Sequence, residues 1–251
     1  MSSSAQLREL EVGFRYPASL PTQSKTSPPL RRTTFPSLCL LEFHGASEYL
    51  EEFVSQVDIP SSSLSSIKIQ LFHQIFFEIR EICHSIPLLS TFKSPTKVYI
   101  TLDPGSVFVT FEKFQEDGNY PLQLQTNCER LDWQLSFVTQ VLNQLSPLLE
   151  GMDVLHVSLS HYVPSGEDVD PMQWLELFQP FASVRTLYVD RKSLDIVQAL
   201  VTEDMAAGVL PELTQLFVLG GYNPAVVEAA EQFVAARKHS GRTIDFSTWH
   251  R

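Results

Sequence analysis

Six stretches of this chain share one hexapeptide pattern, apolar at its first, fourth and sixth positions. They are Leu7–Val12, Leu38–Phe43, Leu64–Ile69, Met152–Val157, Val184–Val189 and Leu213–Val218. Their first positions lie 31, 26, 88, 32 and 29 residues apart, and 88 is close to three units of 29. Apolar residues at positions four and six, with a polar residue between them, give the period of two that a half-buried strand requires. A strand recurring about every thirty residues constrains the fold strongly, because each unit can bury its apolar side only against its neighbours.

Helical periodicity fills the spaces between these strands. Ala46–Val57 places Tyr49, Leu50, Phe53, Val54 and Val57 on one stripe, and Leu131–Leu149 does the same through Leu135, Val138, Leu142 and Leu145. Ser193 opens a further helix as its N-cap, and Asn223-Pro224 opens the last, Ala225–Lys238, which ends before Gly241. Inside the long gap, Lys97–Leu102 and Val107–Phe111 alternate around Asp103-Pro-Gly-Ser106, a β-hairpin, and Leu122–Thr126 reads as another strand. The expected fold is therefore one α/β domain over residues 1–251. It is an irregular leucine-rich-repeat-like solenoid, with a mostly parallel sheet, helices on the convex side and an inserted hairpin region at 97–126. Pro17–Pro36, rich in Pro, Ser and Thr, is expected to be a flexible loop.

Several stretches carry a likeness to a known family. They are Pro36–Phe53, Asp132-Trp-Gln-Leu135, Gln173-Trp-Leu-Glu-Leu177, Val209–Phe217, Gln232–Arg237, and Ser240-Gly241 with Trp249. Through them residues 36–251 resemble the C-terminal leucine-rich-repeat-like region of F-box-type proteins of mushroom-forming fungi. The resemblance implies a scaffold that binds proteins, as the substrate-recognition arm of a ubiquitin ligase. The chain enters on a repeat strand at Leu7, so it is expected to lack the F-box itself, and a ligase adaptor is expected as partner only if an F-box lies upstream. A truncated, F-box-less relative with no ligase role is one alternative, and an enzyme with a site near residues 97–127 is another.

Composition excludes several functions. Eighteen basic against 29 acidic residues give a net charge of −11, with residues 1–36 at +3 and the remainder at −14. Such a chain has no electrostatic footprint for nucleic acid or an anionic membrane. Its start lacks the apolar core of a signal peptide, and the apolar stretch Ile67–Ile79 is broken by polar residues, so an intracellular protein of cytoplasm or nucleus is expected. Cys39, Cys83 and Cys128 are odd in number with no close pair, which points to a reducing compartment and away from a metal cluster. Phosphate-binding glycine loops, nucleophile elbows and paired metal-binding histidines are absent from the sequence. No catalytic residue, cofactor or metal site is therefore expected, and the chain is read as a non-enzyme. What remains is surface. In the repeat strand the third, fifth and seventh positions face outward, on the concave sheet. They collect Glu42, His44, Lys68, Gln70, His156, Ser158, Thr186, Tyr188, Asp190, Gln215 and Phe217, with Glu9, Glu11 and Ser66 beside them. A protein partner is expected to dock there, anchored on Tyr188 and Phe217.

Overall fold

The computed structural model describes residues 6–15, 32–58, 63–86, 96–112, 121–159, 169–201, 208–219 and 223–249. The repeat hexapeptides become β1 (Glu9–Gly13), β3 (Leu40–Gly45), β5 (Ser66–Leu71), β9 (Val154–Leu159), β10 (Thr186–Asp190) and β11 (Gln215–Leu219). Each strand starts two residues later than the pattern and runs on past its end. The first apolar position does not belong to the strand. Leu38, Leu64, Met152, Val184 and Leu213 sit just before it with at most 4 % of their surface exposed, tucked under the sheet as the chain turns in.

One hydrogen-bond motif repeats at these entries. A single carbonyl, that of the residue after the first apolar position, accepts two successive N–H groups of the next unit. Arg8 O takes those of Cys39 and Leu40, Cys39 O those of Ser65 and Ser66, Asp153 O those of Arg185 and Thr186, and Arg185 O those of Thr214 and Gln215. The backbone thus climbs from unit to unit by the same step.

Between the two groups of repeat strands stand β6 (Lys97–Asp103), β7 (Gly105–Glu112) and β8 (Leu122–Cys128). With β12 (Asp245–Trp249) they complete one ten-stranded sheet in the order β1-β3-β5-β8-β7-β6-β9-β10-β11-β12. The expected hairpin is β6–β7, paired antiparallel around Pro104-Gly105, where Gly105 adopts a φ of +114°. That positive φ sits at the third position of a Pro-Gly turn, where glycine carries no steric penalty. β7 runs antiparallel to both neighbours, and every other pairing in the sheet is parallel. The 88-residue gap therefore holds three strands where three units of 29 would place two.

Helices cover one face of this sheet. They are α1 (Ser47–Gln56), α2 (Arg80–Ser85), α3 (Leu131–Gln144), α4 (Ser146–Leu149), α5 (Pro171–Phe178), α6 (Leu194–Val201) and α7 (Pro224–His239). Pro147 splits the single helix expected over 131–149 at Leu145, since proline in a helix interior removes a donor and clashes with the preceding turn. α5 lies between α3 and α6, and α6 against α7, so these four helices form one continuous layer, while α1 packs against α2. Beneath them the inward side chains of all the central strands merge into a single apolar core. The fold is thus mixed α/β, with a large, mostly parallel sheet.

Part of the expected Pro17–Pro36 loop is ordered otherwise. Thr33–Thr34 (β2) pairs in parallel with Val57–Asp58 (β4) as a short separate ribbon, while residues 16–31 lie outside the described residues. The cysteines are free thiols, Cys83 and Cys128 buried and Cys39 half-buried. Burial, helped by the negative charge of Glu51, pushes the Cys83 thiol up to about 12, which keeps it protonated and unreactive.

Candidate functional site on the open sheet face

Among the described residues no helix covers the second face of the sheet. Its side chains fall in rows, because parallel pairing aligns equivalent positions. One row crosses all ten strands: Glu11, Glu42, Lys68, Gln123, Thr110, Tyr99, His156, Tyr188, Phe217 and Ser247. The expected surface residues Glu42, Lys68, His156, Tyr188 and Phe217 all stand in it. His44, Gln70, Ser158 and Asp190 form a second row, and Thr186 and Gln215 face each other in a third.

The two halves of this face differ in chemistry. From β6 to β11 the rings of Tyr99, His156, Tyr188 and Phe217 form one continuous stack. Successive centroids lie 4.5, 4.1 and 4.8 Å apart, with interplanar angles of 23°, 5° and 13°. Those separations match the spacing of neighbouring strands. The rings therefore stand upright on the sheet, faces against one another and edges to solvent. Tyr188 has both faces on the stack and Phe217 one, so a partner meets the rim of Tyr188.

Several polar groups of this half are also engaged. Asp190 accepts from Ser158 Oγ at 3.0 Å and Leu159 N at 2.6 Å through Oδ2, and from Lys192 N at 2.8 Å and Ser193 Oγ at 3.0 Å through Oδ1. Its carboxylate locks the turn into α6 to strand β9. Thr186 is only 8 % exposed and donates its hydroxyl to Gln215 Oε1 at 3.1 Å. Tyr99 donates to Glu112 at 2.6 Å, and Lys97 lies 3.9 Å from the same carboxylate. Asp190, Ser158 and Thr186 are thus committed to the fold itself.

The stack has a measurable consequence. An offset aromatic pair contributes about 0.5–1.5 kcal/mol beyond its buried area, and Tyr188 has two such contacts. Tyr188→Ala is expected to cost about 1–3 kcal/mol in urea titration, and Phe217→Ala, with one contact, about half as much. A Tyr188→Ala loss within the ±0.5 kcal/mol usual for surface positions would remove the stack as a stabilising element.

From β3 to β8 the arrangement reverses. Glu42, His44, Lys68, Gln70, Gln123 and Gln125 line a depression of about 220 Å³. A second, of about 340 Å³, adjoins it at Gln123 and is lined by Tyr99, Thr101, Asp103, Phe108 and Thr110. Together they form a trough leading up to the Tyr99 ring at the start of the stack. Among the described residues the Glu42 carboxylate, the Lys68 ammonium and the Gln70 and Gln123 amides make no side-chain hydrogen bond or ion pair. One oxygen of Asp103 is buried and likewise without a partner. Charges of both signs and amides that both donate and accept line one shallow channel, which suits a polar, extended ligand.

Sequence reasoning finds the repeat members of this trough and misses Tyr99, Gln123, Gln125 and Asp103. For Tyr99, Gln123 and Gln125 the signal is present in the alternation of 97–102 and 122–126, and Asp103 follows at the next outward position. The region 97–127, the alternative enzyme site, contributes the second depression. Glu167 and Asp168 lie outside the described residues, and Asp170 caps α5 by accepting from Met172 N at 2.9 Å. Among the described residues no group of three or more His, Cys, Asp or Glu could hold a metal ion, and no helix is long and apolar enough to cross a membrane. Comparison with protein families, with characterised proteins and with solved structures finds no match.

Proposed function

We propose that this chain is an interaction module whose open sheet face captures a protein partner, with the β3–β8 trough as its recognition site. One observation carries the reading. Over β6–β11 the side chains of Tyr99, Ser158, Thr186 and Asp190 are bonded within the fold, whereas among the described residues Glu42, Lys68, Gln70 and Gln123 line a channel with their bonding capacity unused. Side-chain amides satisfy both the N–H and the C=O of an extended peptide, and the Glu42–Lys68 pair reads its charge. The aromatic stack stiffens the neighbouring half of the sheet. Its ring edges add apolar contact at the rim.

The test is affinity capture with wild-type and Lys68→Ala/Gln123→Ala baits, followed by titration of the retained protein. Loss of paired polar contacts at a central position is expected to weaken binding by about tenfold or more. Proteins retained equally by both baits would move the interface off the trough.

The repeat architecture extends the proposal to an irregular leucine-rich-repeat-like solenoid, supported by the period of the strands and the repeated entry hydrogen bonds. Its finer form is the substrate-recognition arm of an F-box-type ubiquitin ligase. The resemblance over residues 36–251 supports that form, and co-purification of a ligase adaptor with the protein checks it.

A further inference from the structure

A second surface lies on the helical side, beyond the carboxyl end of β5. There Ile75 and Phe76 are 77 % and 80 % exposed, and Trp133, at the start of α3, is 46 % exposed. Large apolar side chains standing in water next to one another mark interaction sites on soluble proteins. This pair is also held in place. Gln140 and Gln144, one turn apart on α3, hold the backbone of 75–79 through both of their amides. Gln140 accepts from Phe77 N at 3.1 Å and donates to Ile75 O at 3.1 Å. Gln144 accepts from Ile79 N at 2.9 Å and donates to Phe77 O at 2.8 Å. Four bonds in strand-like alternation fix the segment, with Phe77 and Ile79 turned into the core and Ile75 and Phe76 turned out. The His73 ring stacks on Trp133 at 4.6 Å and extends the patch.

The rim of the patch is acidic. Glu48, on α1, accepts from Gln74 Nε2 at 2.7 Å, immediately before Ile75. Glu51, one turn further along α1, accepts the Glu81 N–H. Glu78 and Glu81 complete the group. The nearby cations are already matched: Arg80 lies 3.5 Å from Glu78, and Arg130, whose guanidinium lies 4.8 Å over the Trp133 ring, grips Asp132 through two nitrogens. The acids crowd one another. Burial pushes the Glu51 carboxyl up against the pull of backbone N–H donors, and the charges of Glu81 and Glu78 push it the same way. A cation arriving from outside would relieve this repulsion.

We propose that the Ile75–Phe76–Trp133 patch docks a basic amphipathic segment of a partner protein. Its apolar side chains cover the three exposed residues, and its lysines or arginines meet Glu48, Glu51, Glu78 and Glu81. The occupant follows from charge. A second copy of this chain, at −11, would bring a like-charged rim to the same spot, and an anionic lipid surface would be repelled. The patch is also a few side chains across, the size of a helix-face anchor and far below a whole-domain interface of about 800 Å² per partner. This site stands apart from the trough of the proposed function, so one molecule can hold two partners at once.

The experiment uses the full chain and three synthetic amphipathic helical peptides of about 14 residues. All three carry leucine on one face, with lysine, glutamine or glutamate on the other, and binding is read by fluorescence anisotropy. The lysine peptide is expected to bind at least about tenfold tighter than the glutamine peptide, and the glutamate peptide weakest. Ile75→Ser/Phe76→Ser, at side chains that support no core, is expected to weaken the lysine peptide by about tenfold. Lys68→Ala/Gln123→Ala, in the trough, is expected to leave it unchanged, so the two proposals fail separately. Lysine-peptide binding that ignores Ile75→Ser/Phe76→Ser is general charge attraction and overturns the proposal, as does equal binding of all three peptides. Two further results overturn it in favour of another occupant. One is a dimer in analytical ultracentrifugation that the same double variant dissolves. The other is co-sedimentation with phosphatidylserine vesicles that it abolishes.

Discussion

Replacing Trp174 with alanine is expected to cost about 3–5 kcal/mol, the range for removing a fully buried tryptophan or phenylalanine. Trp174 is 1 % exposed and heads the largest fully buried side chains of the chain. It sits in α5, which bridges α3 and α6 and so closes the middle of the helical layer. The helix is set by local chemistry, with the Asp170 carboxylate capping its start and Pro171 in its first turn, where a missing N–H costs nothing. Trp174→Phe separates volume from polarity at the same position. The indole Nε1 is buried and, among the described residues, makes no hydrogen bond. A buried donor left unmade costs about 1–3 kcal/mol, so its removal offsets much of the cavity that phenylalanine leaves. Trp174→Phe is therefore expected to lose less than half of what Trp174→Ala loses, both read from urea midpoints at constant slope. Equal losses would show that the indole N–H is satisfied, and a Trp174→Ala loss under about 1 kcal/mol would take α5 out of the core.

The sheet shows which parts of a sequence announce structure. The six hexapeptides are legible because they carry three signals, two inward strand positions and one apolar residue tucked in before the strand. The strands that escape the pattern keep part of it. In register with β9, Val98 and Ile100 of β6 occupy the two inward positions, but three residues before Val98 the sequence has Pro95 in place of the leading Leu, Val or Met. In register with β11, Thr243 falls 30 residues after Leu213, on the period, yet Phe246 is the sole apolar residue among the three positions. β12 is an edge strand paired on one side, so it tolerates Thr248 where an inner strand needs valine.

The surface was legible in a different degree. Alternation places the expected surface side chains on one face of the sheet, where Ser66 and Thr186 are nonetheless buried, and the near-constant spacing of His156, Tyr188 and Phe217 aligns them. Whether a side chain is free depends on partners brought from other units. Asp190 and Ser158 are 32 residues apart in the chain and bonded in the fold, which no local pattern reveals. The same limit applies to Ile75 and Phe76. They lie in the most apolar stretch of the sequence, and hydrophobicity alone would bury them. Gln140 and Gln144, more than sixty residues away, decide otherwise.

Phe111→Ala is expected to cost about 3–5 kcal/mol and to lower the stability of the whole sheet in one step. Phe111 is fully buried in β7, the strand that alone joins β1-β3-β5-β8 to β6-β9-β10-β11-β12. Repeat arrays behave as sums of nearest-neighbour terms, and a weak joint lets the two ends melt separately. Here the joint is strong. β7 is paired along its length on both sides, and α3 packs above β7 and β8 while also touching α5 of the second block. The two blocks therefore share one core, and its loss at any central point is felt at both ends. Calorimetry of the wild type should give equal calorimetric and van't Hoff enthalpies, and Phe111→Ala should shift that single transition downward without splitting it. Two resolved transitions in the variant would mean that the blocks are separate cooperative units merely held side by side. The parallel units would then carry their own stability, and the antiparallel strand would be a splice rather than the keystone of the sheet.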